Sequence, residues 1–238
     1  MIRLRGARIE AARGVLVCGS VVGGRKENPF IAMVSGDGAS QGFYVDLPYG
    51  GAFLDCILRG GLLVGVGYLD TPEGRRAFAA AIDVERGRVA WAIHFGSGYA
   101  LAKAVTSLGE RLAVAGVIQP PGARDSDLFV ALVDGDGRIV GSVLLGTPAY
   151  NDFVERCYSV GGGVLLVGST WGYNVSYSDA LLAWTSLNGS SLVAIGGADR
   201  DEASAALQTG RRLLIAGSTF TSRGGLSDAF IASMSNGS

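Results

Sequence analysis

Histidine is almost missing from this chain of 238 residues, and His94 is the only one. A histidine-rich metal centre is therefore excluded, and a serine–histidine–aspartate system would have to be built on that one side chain. His94 lies in the apolar stretch Trp91–Phe95 (WAIHF), read as the outermost strand of its repeat, a poor place for a positioned base. Lysine is scarce too, with only Lys26 and Lys103. Charged residues make up 17 % and the net charge is −1, which leaves no electrostatic footprint for nucleic acid or an anionic membrane. No apolar run approaches the roughly 20 residues of a membrane helix. The opening MIRLRGARIEAARG lacks the apolar core of a secretory signal, so a cytoplasmic location is expected. Cys18, Cys56 and Cys157 are odd in number and lack metal-ligand spacing, and are expected to be buried and reduced. No G-x-S-x-G, H-E-x-x-H or phosphate-loop motif is present. No cofactor and no metal are expected.

What the chain has in excess is glycine, 38 residues, within a composition that is 48 % hydrophobic. The glycines are ordered. Val15–Ser20 (VLVCGS), Leu62–Tyr68 (LLVGVGY), Leu112–Val117 (LAVAGV), Val164–Thr170 (VLLVGST) and Leu213–Thr219 (LLIAGST) are variants of one strand. Their shared glycines, Gly19, Gly67, Gly116, Gly168 and Gly217, are spaced 48, 49, 52 and 49 residues apart. A period near 50 built from short strands is the signature of a β-propeller.

Each repeat resolves into strands A to D. Strand A carries small residues (Ala100, Ala102, Ala104; Ala203, Ala205, Ala206), and strand B carries the repeated glycine. Strand C follows a D-x-F-h-A pattern, seen in Asp127–Ala131 (DLFVA) and Asp228–Ala232 (DAFIA). Strand D is a short apolar stretch. Hairpin residues such as Gly135-Asp136-Gly137 and Asn188-Gly189 join C to D. The reading is one all-β domain, a five-bladed propeller of four-stranded antiparallel blades. The blades span about 7–47, 53–95, 100–145, 152–195 and 201–234. Residues 2–5 (IRLR) are expected to supply the missing D strand of the fifth blade and so close the ring, with the protein a monomer. Strand A is expected at the axis, where Ala102 and Ala205 would tolerate little added volume.

The stretches Leu144–Asp152, Val164–Thr170 and Ser178–Ala183 (SDALLA) resemble the SBBP-type β-propeller repeat, as do Ile195–Asp201, Leu213–Thr219 and Ser227–Ala232 (SDAFIA). The resemblance implies a propeller architecture and no particular activity. The chain departs from that pattern in lacking a lysine after the strand C alanine, and in lacking an acidic residue at the start of strand A in the first three repeats.

Recurring acids are read first as loop holders. Asp134-Gly135-Asp136-Gly137 falls where every repeat has a hairpin turn. Asp127, Asp179 and Asp228 at strand C, and Asp152 and Asp201 at strand A, recur by register. A carbohydrate-active hydrolase at the axis would draw on Asp152 and Asp201. That hydrolase, or a lectin, with its site at the axis is the alternative; the leading reading is a non-catalytic binding or scaffolding module that uses the face carrying the long B–C and D–A loops. Trp171, Tyr173, Tyr177, Tyr150, Tyr99 and Arg124 are the candidate ligand-binding residues there, and a protein, peptide or glycan is the expected partner.

Overall fold

The computed structural model describes residues 1–10, 14–146, 150–171, 177–186, 189–196, 200–220 and 227–235, the side chains of residues 9 and 10 excepted. Among these there are nineteen strands and no helix. Among the described residues no helix is long and apolar enough to cross a membrane. The strands form five antiparallel sheets in chain order. The first holds β1 (Ile2–Glu10), β2 (Gly14–Gly23), β3 (Lys26–Val34) and β4 (Ser40–Tyr44). The second holds β5 (Gly51–Arg59), β6 (Leu62–Thr71), β7 (Gly74–Asp83) and β8 (Arg88–Phe95). The third holds β9 (Tyr99–Leu108), β10 (Arg111–Gln119), β11 (Asp127–Val133) and β12 (Ile139–Leu145). The fourth holds β13 (Asn151–Val160), β14 (Gly163–Trp171), β15 (Ser178–Ser186) and β16 (Gly189–Ile195). The fifth has three strands, β17 (Arg200–Thr209), β18 (Arg212–Phe220) and β19 (Ser227–Ser235).

The repeated glycine has a steric cause. In every sheet the register between the first two strands slips by one residue beside it, so that Arg5, Leu54, Lys103, Glu155 or Ser204 is left over as a β-bulge. The bulge drives a carbonyl of the first strand onto the glycine. A Cβ at Gly19 would lie 1.8 Å from the Arg3 oxygen, and one at Gly168 would lie 1.9 Å from the Phe153 oxygen. Only hydrogen fits, and the period of the sequence is the period of this bulge.

The sheets pack face to face through apolar side chains. Leu16, Cys18 and Ile31 of the first sheet meet Phe53, Leu63 and Phe78 of the second. Val66 and Ala79 meet Val105 and Val114, Ala115 and Val130 meet Val154 and Leu166, and Val167 and Leu182 meet Ala203 and Ile215. Each large side chain so buried contributes about 1.5–3 kcal/mol relative to exposure. The first strands of successive sheets also meet one another. Arg8 on β1 donates to Asp55 on β5 at 3.2 Å and to the carbonyl of Val105 on β9 at 3.0 Å. Asp55 in turn accepts the Val105 N–H at 3.0 Å. An ion pair thus ties the first strands of three sheets.

Two expectations are corrected here. Residues 2–5 do not complete the fifth sheet: Ile2, Arg3 and Leu4 pair with Val21, Ser20 and Gly19, all in the first sheet. The bulge at Arg5 interrupts the alternation, so a single nine-residue strand reads in sequence as two short ones. Ala205 is exposed, whereas Ala102 is fully buried. Ala205 lies on the outward face of the fifth sheet, with Leu207 and Ile231, and Ile231 is 79 % exposed. On the first sheet, Leu4 is 62 % exposed although its register equivalents Phe53, Ala102, Val154 and Ala203 are all buried.

Candidate functional site

Three sequence candidates converge at one end of the fourth sheet. Trp171, the last residue of β14, stands opposite Asn151 of β13 and opposite Ser178 of β15. Tyr150 and Tyr177 are the next residues beyond those partners, so the three aromatic residues lie at the same end of the sheet. Trp171 is 51 % exposed and Tyr177 is 52 % exposed, and Tyr150 is exposed as well. Tyr173 lies outside the described residues.

The repeat does not require an aromatic ring at this position. Counting from the repeated glycine, the equivalents of Trp171 are Val22, Asp70, Gln119 and Phe220.

The third sheet adds to this patch. The loop after β10 contains Arg124, which is exposed, and it is anchored two residues later. The Ser126 backbone N–H and hydroxyl both donate to Asn151 Oδ1 at 3.1 Å, and the Asp152 N–H donates back to the Ser126 carbonyl at 2.9 Å. The anchor places the Arg124 loop beside Tyr150. Tyr99, the first residue of β9 and also exposed, pairs with Gln119 at the other end of that loop. Sequence reasoning missed Ser126 and Asn151 as the link. The signal available was the serine that precedes the strand C aspartate in Ser126-Asp127, Ser178-Asp179 and Ser227-Asp228.

Two arginines on the neighbouring sheets, Arg75 on β7 and Arg200 on β17, are held by acids and rings of their own sheets, and Arg75 also by a hydrogen bond with Tyr99. Arg75 pairs with Asp70 at 2.8 Å and lies over the Tyr68 ring at 4.1 Å from its centre. Arg200 pairs with Glu202 and lies 5.3 Å from the centre of the Phe220 ring.

Of the recurring carboxylates, Asp152, Asp179 and Asp201 are buried, whereas Asp228 is exposed. Asp152 is fully buried and Asp201 is 8 % exposed. A Cβ on Gly196 would lie 2.1 Å from Asp179 Oδ1 and 2.9 Å from Asp201 Oδ2, so both carboxyls press on the backbone at that glycine. Asp127 does the same at Gly146, at 2.0 Å. Crowding of like charge follows. Burial, reinforced by the Asp201 charge, pushes the Asp179 carboxyl up, and burial with Asp125 and Asp152 does so for Asp127. Asp179 Oδ1 and the Ser178 hydroxyl are buried without a hydrogen-bond partner.

Asp134 behaves as a turn residue: its carboxylate accepts the N–H groups of Asp136 and Arg138 at 3.0 and 2.8 Å. Among the described residues, no three histidine, cysteine, aspartate or glutamate side chains are grouped to hold a metal ion. His94 is exposed on β8, and the three cysteines are free and buried. A hydrogen bond with Cys18 and burial push the Cys56 thiol up, while burial does so for Cys157, and neither is poised as a nucleophile.

No family model matches the chain, and no curated protein matches it. Solved structures do. A subtype N10 neuraminidase-like protein of A/little yellow-shouldered bat/Guatemala superposes with a TM-score of 0.56 at 10 % identity, over 98 % of this chain and 83 % of that one. An acylaminoacyl peptidase of Pyrococcus horikoshii gives 0.47 at 9 % identity, over 100 % of this chain and 46 % of that one. The WD40 domain of SCAP from fission yeast gives 0.29 at 8 % identity, over 98 % and 77 %. At such identities the likeness to the neuraminidase-like protein shows a propeller-type fold and nothing of the chemistry.

Proposed function

We propose that this propeller-type protein is a non-catalytic binding or scaffolding module, and that it works through the loop-bearing end of its third and fourth sheets. The observation that carries this reading is the joint exposure of Trp171, Tyr150 and Tyr177 at one end of the fourth sheet, with Trp171 at a register position where three other repeats carry valine, aspartate or glutamine. Exposed rings with no packing duty are costly in water and suit a partner surface. The patch is open and carries Arg124 at its rim, which fits a peptide or the apolar face of a sugar.

A hydrolase with Asp152 and Asp201 as its acids is the competing reading. Those carboxylates are buried between sheets. Other acids of the first strands are engaged, Asp55 by Arg8 and Glu155 by Lys103. A substrate would have to pry neighbouring sheets apart to reach Asp152 and Asp201.

Glycan and peptide arrays probed with the wild type and with a Trp171→Ala, Tyr177→Ala variant test the proposal. Binding by the wild type, lost in a variant of unchanged melting temperature, is the expected result. Release of reducing sugar by the wild type, abolished in Asp201→Asn and retained in the aromatic variant, would establish the hydrolase instead.

A further inference from the structure

At the opposite end of the molecule the repeat leaves a hole. Each of the first four sheets has a cross-strand pair, one residue on its third strand and one on its fourth, that projects toward the next sheet near the turns. The pairs are Met33 with Gln41, Ala81 with Trp91, Leu132 with Gly141, and Trp184 with Ser191. In the second sheet the indole of Trp91 fills the junction. It packs over the hairpin of the third sheet, where a Cβ on Gly137 would lie 2.7 Å from Trp91 Cδ2, and its Nε1 donates to the Gly135 carbonyl at 3.1 Å. In the fourth sheet Trp184, the other member of the pair, faces the same junction but lies over its own sheet, beside Gly163, with Nε1 donating to the Val160 carbonyl at 3.4 Å.

The third sheet has no tryptophan at either position. Leu132 and Gly141 leave a groove of about 720 Å³ between the third and fourth sheets, within the roughly 300–1,000 Å³ of small-molecule sites. Val130, Leu132, Val143 and Val164 line it, and Glu110 and Arg111 stand at its rim. Gly189, the hairpin glycine that corresponds to Gly137, has nothing within 4 Å of a Cβ position. A Cβ on Gly141 would meet only Leu132 Cδ1, at 3.8 Å.

We propose that the groove between the third and fourth sheets is a binding site for a planar aromatic molecule of indole-like shape. The chain itself specifies the occupant. The same place in the preceding junction holds an indole, lying flat on a hairpin glycine, its ring N–H bonded to a turn carbonyl and its faces against valine and alanine side chains. An apolar floor with few charges selects a neutral ring system, and the groove has room for substituents pointing toward Glu110 and Arg111. This site is independent of the loop-bearing end.

Indole is the probe. Titration followed by calorimetry and by amide chemical shifts should show one site in the wild type, with shifts confined to residues around Val130–Leu132 and Gly141–Val143. Gly141→Trp should occupy the groove from within, abolish indole binding and raise the melting temperature. Leu132→Trp, which copies the Trp184 arrangement, should abolish binding as well. Conversely, Trp91→Gly should lower the melting temperature, open a second indole site, and regain some of the lost stability in saturating indole. Absence of binding by the wild type at millimolar indole overturns the proposal. So does undiminished binding in a folded tryptophan variant, or a shift pattern centred elsewhere.

Discussion

Arg8 reaches Asp55 from an adjoining sheet, at 3.2 Å, and the aspartate it meets is almost fully buried. Breaking such a pair from the cationic side leaves a buried carboxylate whose remaining partner among the described residues is the Val105 N–H. Arg8→Met should therefore destabilise the protein by about 2 kcal/mol, less than for a fully buried pair because the arginine is partly solvated. Denaturant titration measures this. A double variant that also carries Asp55→Leu should lose less than the sum of the single losses, and full additivity would mean the pair is not coupled.

Ala102 and Ala205 belong to the same repeat feature but stand in opposite environments. Ala102→Phe inserts a ring into a fully packed junction and should cost about 1–3 kcal/mol or prevent folding. Ala205→Phe faces solvent and should stay within about 0.5 kcal/mol of the wild type. Equal effects in thermal melts would contradict the packing described.

Leu4 and Val154 are register equivalents, each paired with the repeated glycine of its sheet. Val154→Lys buries an unpaired charge between the third and fourth sheets and should cost about 4 kcal/mol or more. Leu4→Lys should be tolerated within about 0.5 kcal/mol, since that face of β1 is open. Severe destabilisation by Leu4→Lys would mean that the first sheet is covered in solution.

Protonation of Asp179 should be visible in stability. Its folded carboxyl titrates above its ordinary value of 3.8, mainly through burial and then through Asp201. The folded state then holds this proton more tightly than the unfolded chain does. Asp179 thus costs stability in full above its folded pKa, and the cost disappears as the pH falls below 3.8. Asp179→Asn should raise the melting temperature at pH 7, with an advantage that shrinks toward pH 3.5. A constant difference across that range would show that the charge is not the cause.

The repeat was legible because its cause is local and steric. The glycine at 19, 67, 116, 168 and 217 is the one residue the bulge allows, and five independent occurrences make it unmistakable. The same bulge hid the assignment of β1. Gly6 reads as a terminator after IRLR, whereas in the structure the residue left over is Arg5 and pairing resumes between Gly6 and Cys18. Exposure of Trp171 was open in the sequence, because a ring in a loop can fold down or stand out, and only the pairing of Asn151 and Ser178 on either side fixes its surroundings. The groove beside Leu132 and Gly141 was illegible for a different reason. It depends on which two residues face each other across a ladder, and a bulge shifts the register of that ladder between Leu132 and Val133.

The measurement that tests the working surface most directly is the fluorescence of Trp171 alone. The chain has three tryptophans, and Trp91→Phe with Trp184→Phe leaves Trp171 as the only emitter. The free protein should then emit as a solvated indole, be readily quenched by acrylamide, and shift to the blue with loss of quenching when an array-selected peptide or glycan is added. Emission already blue-shifted and protected in the free protein, with no response to ligand, would contradict the account.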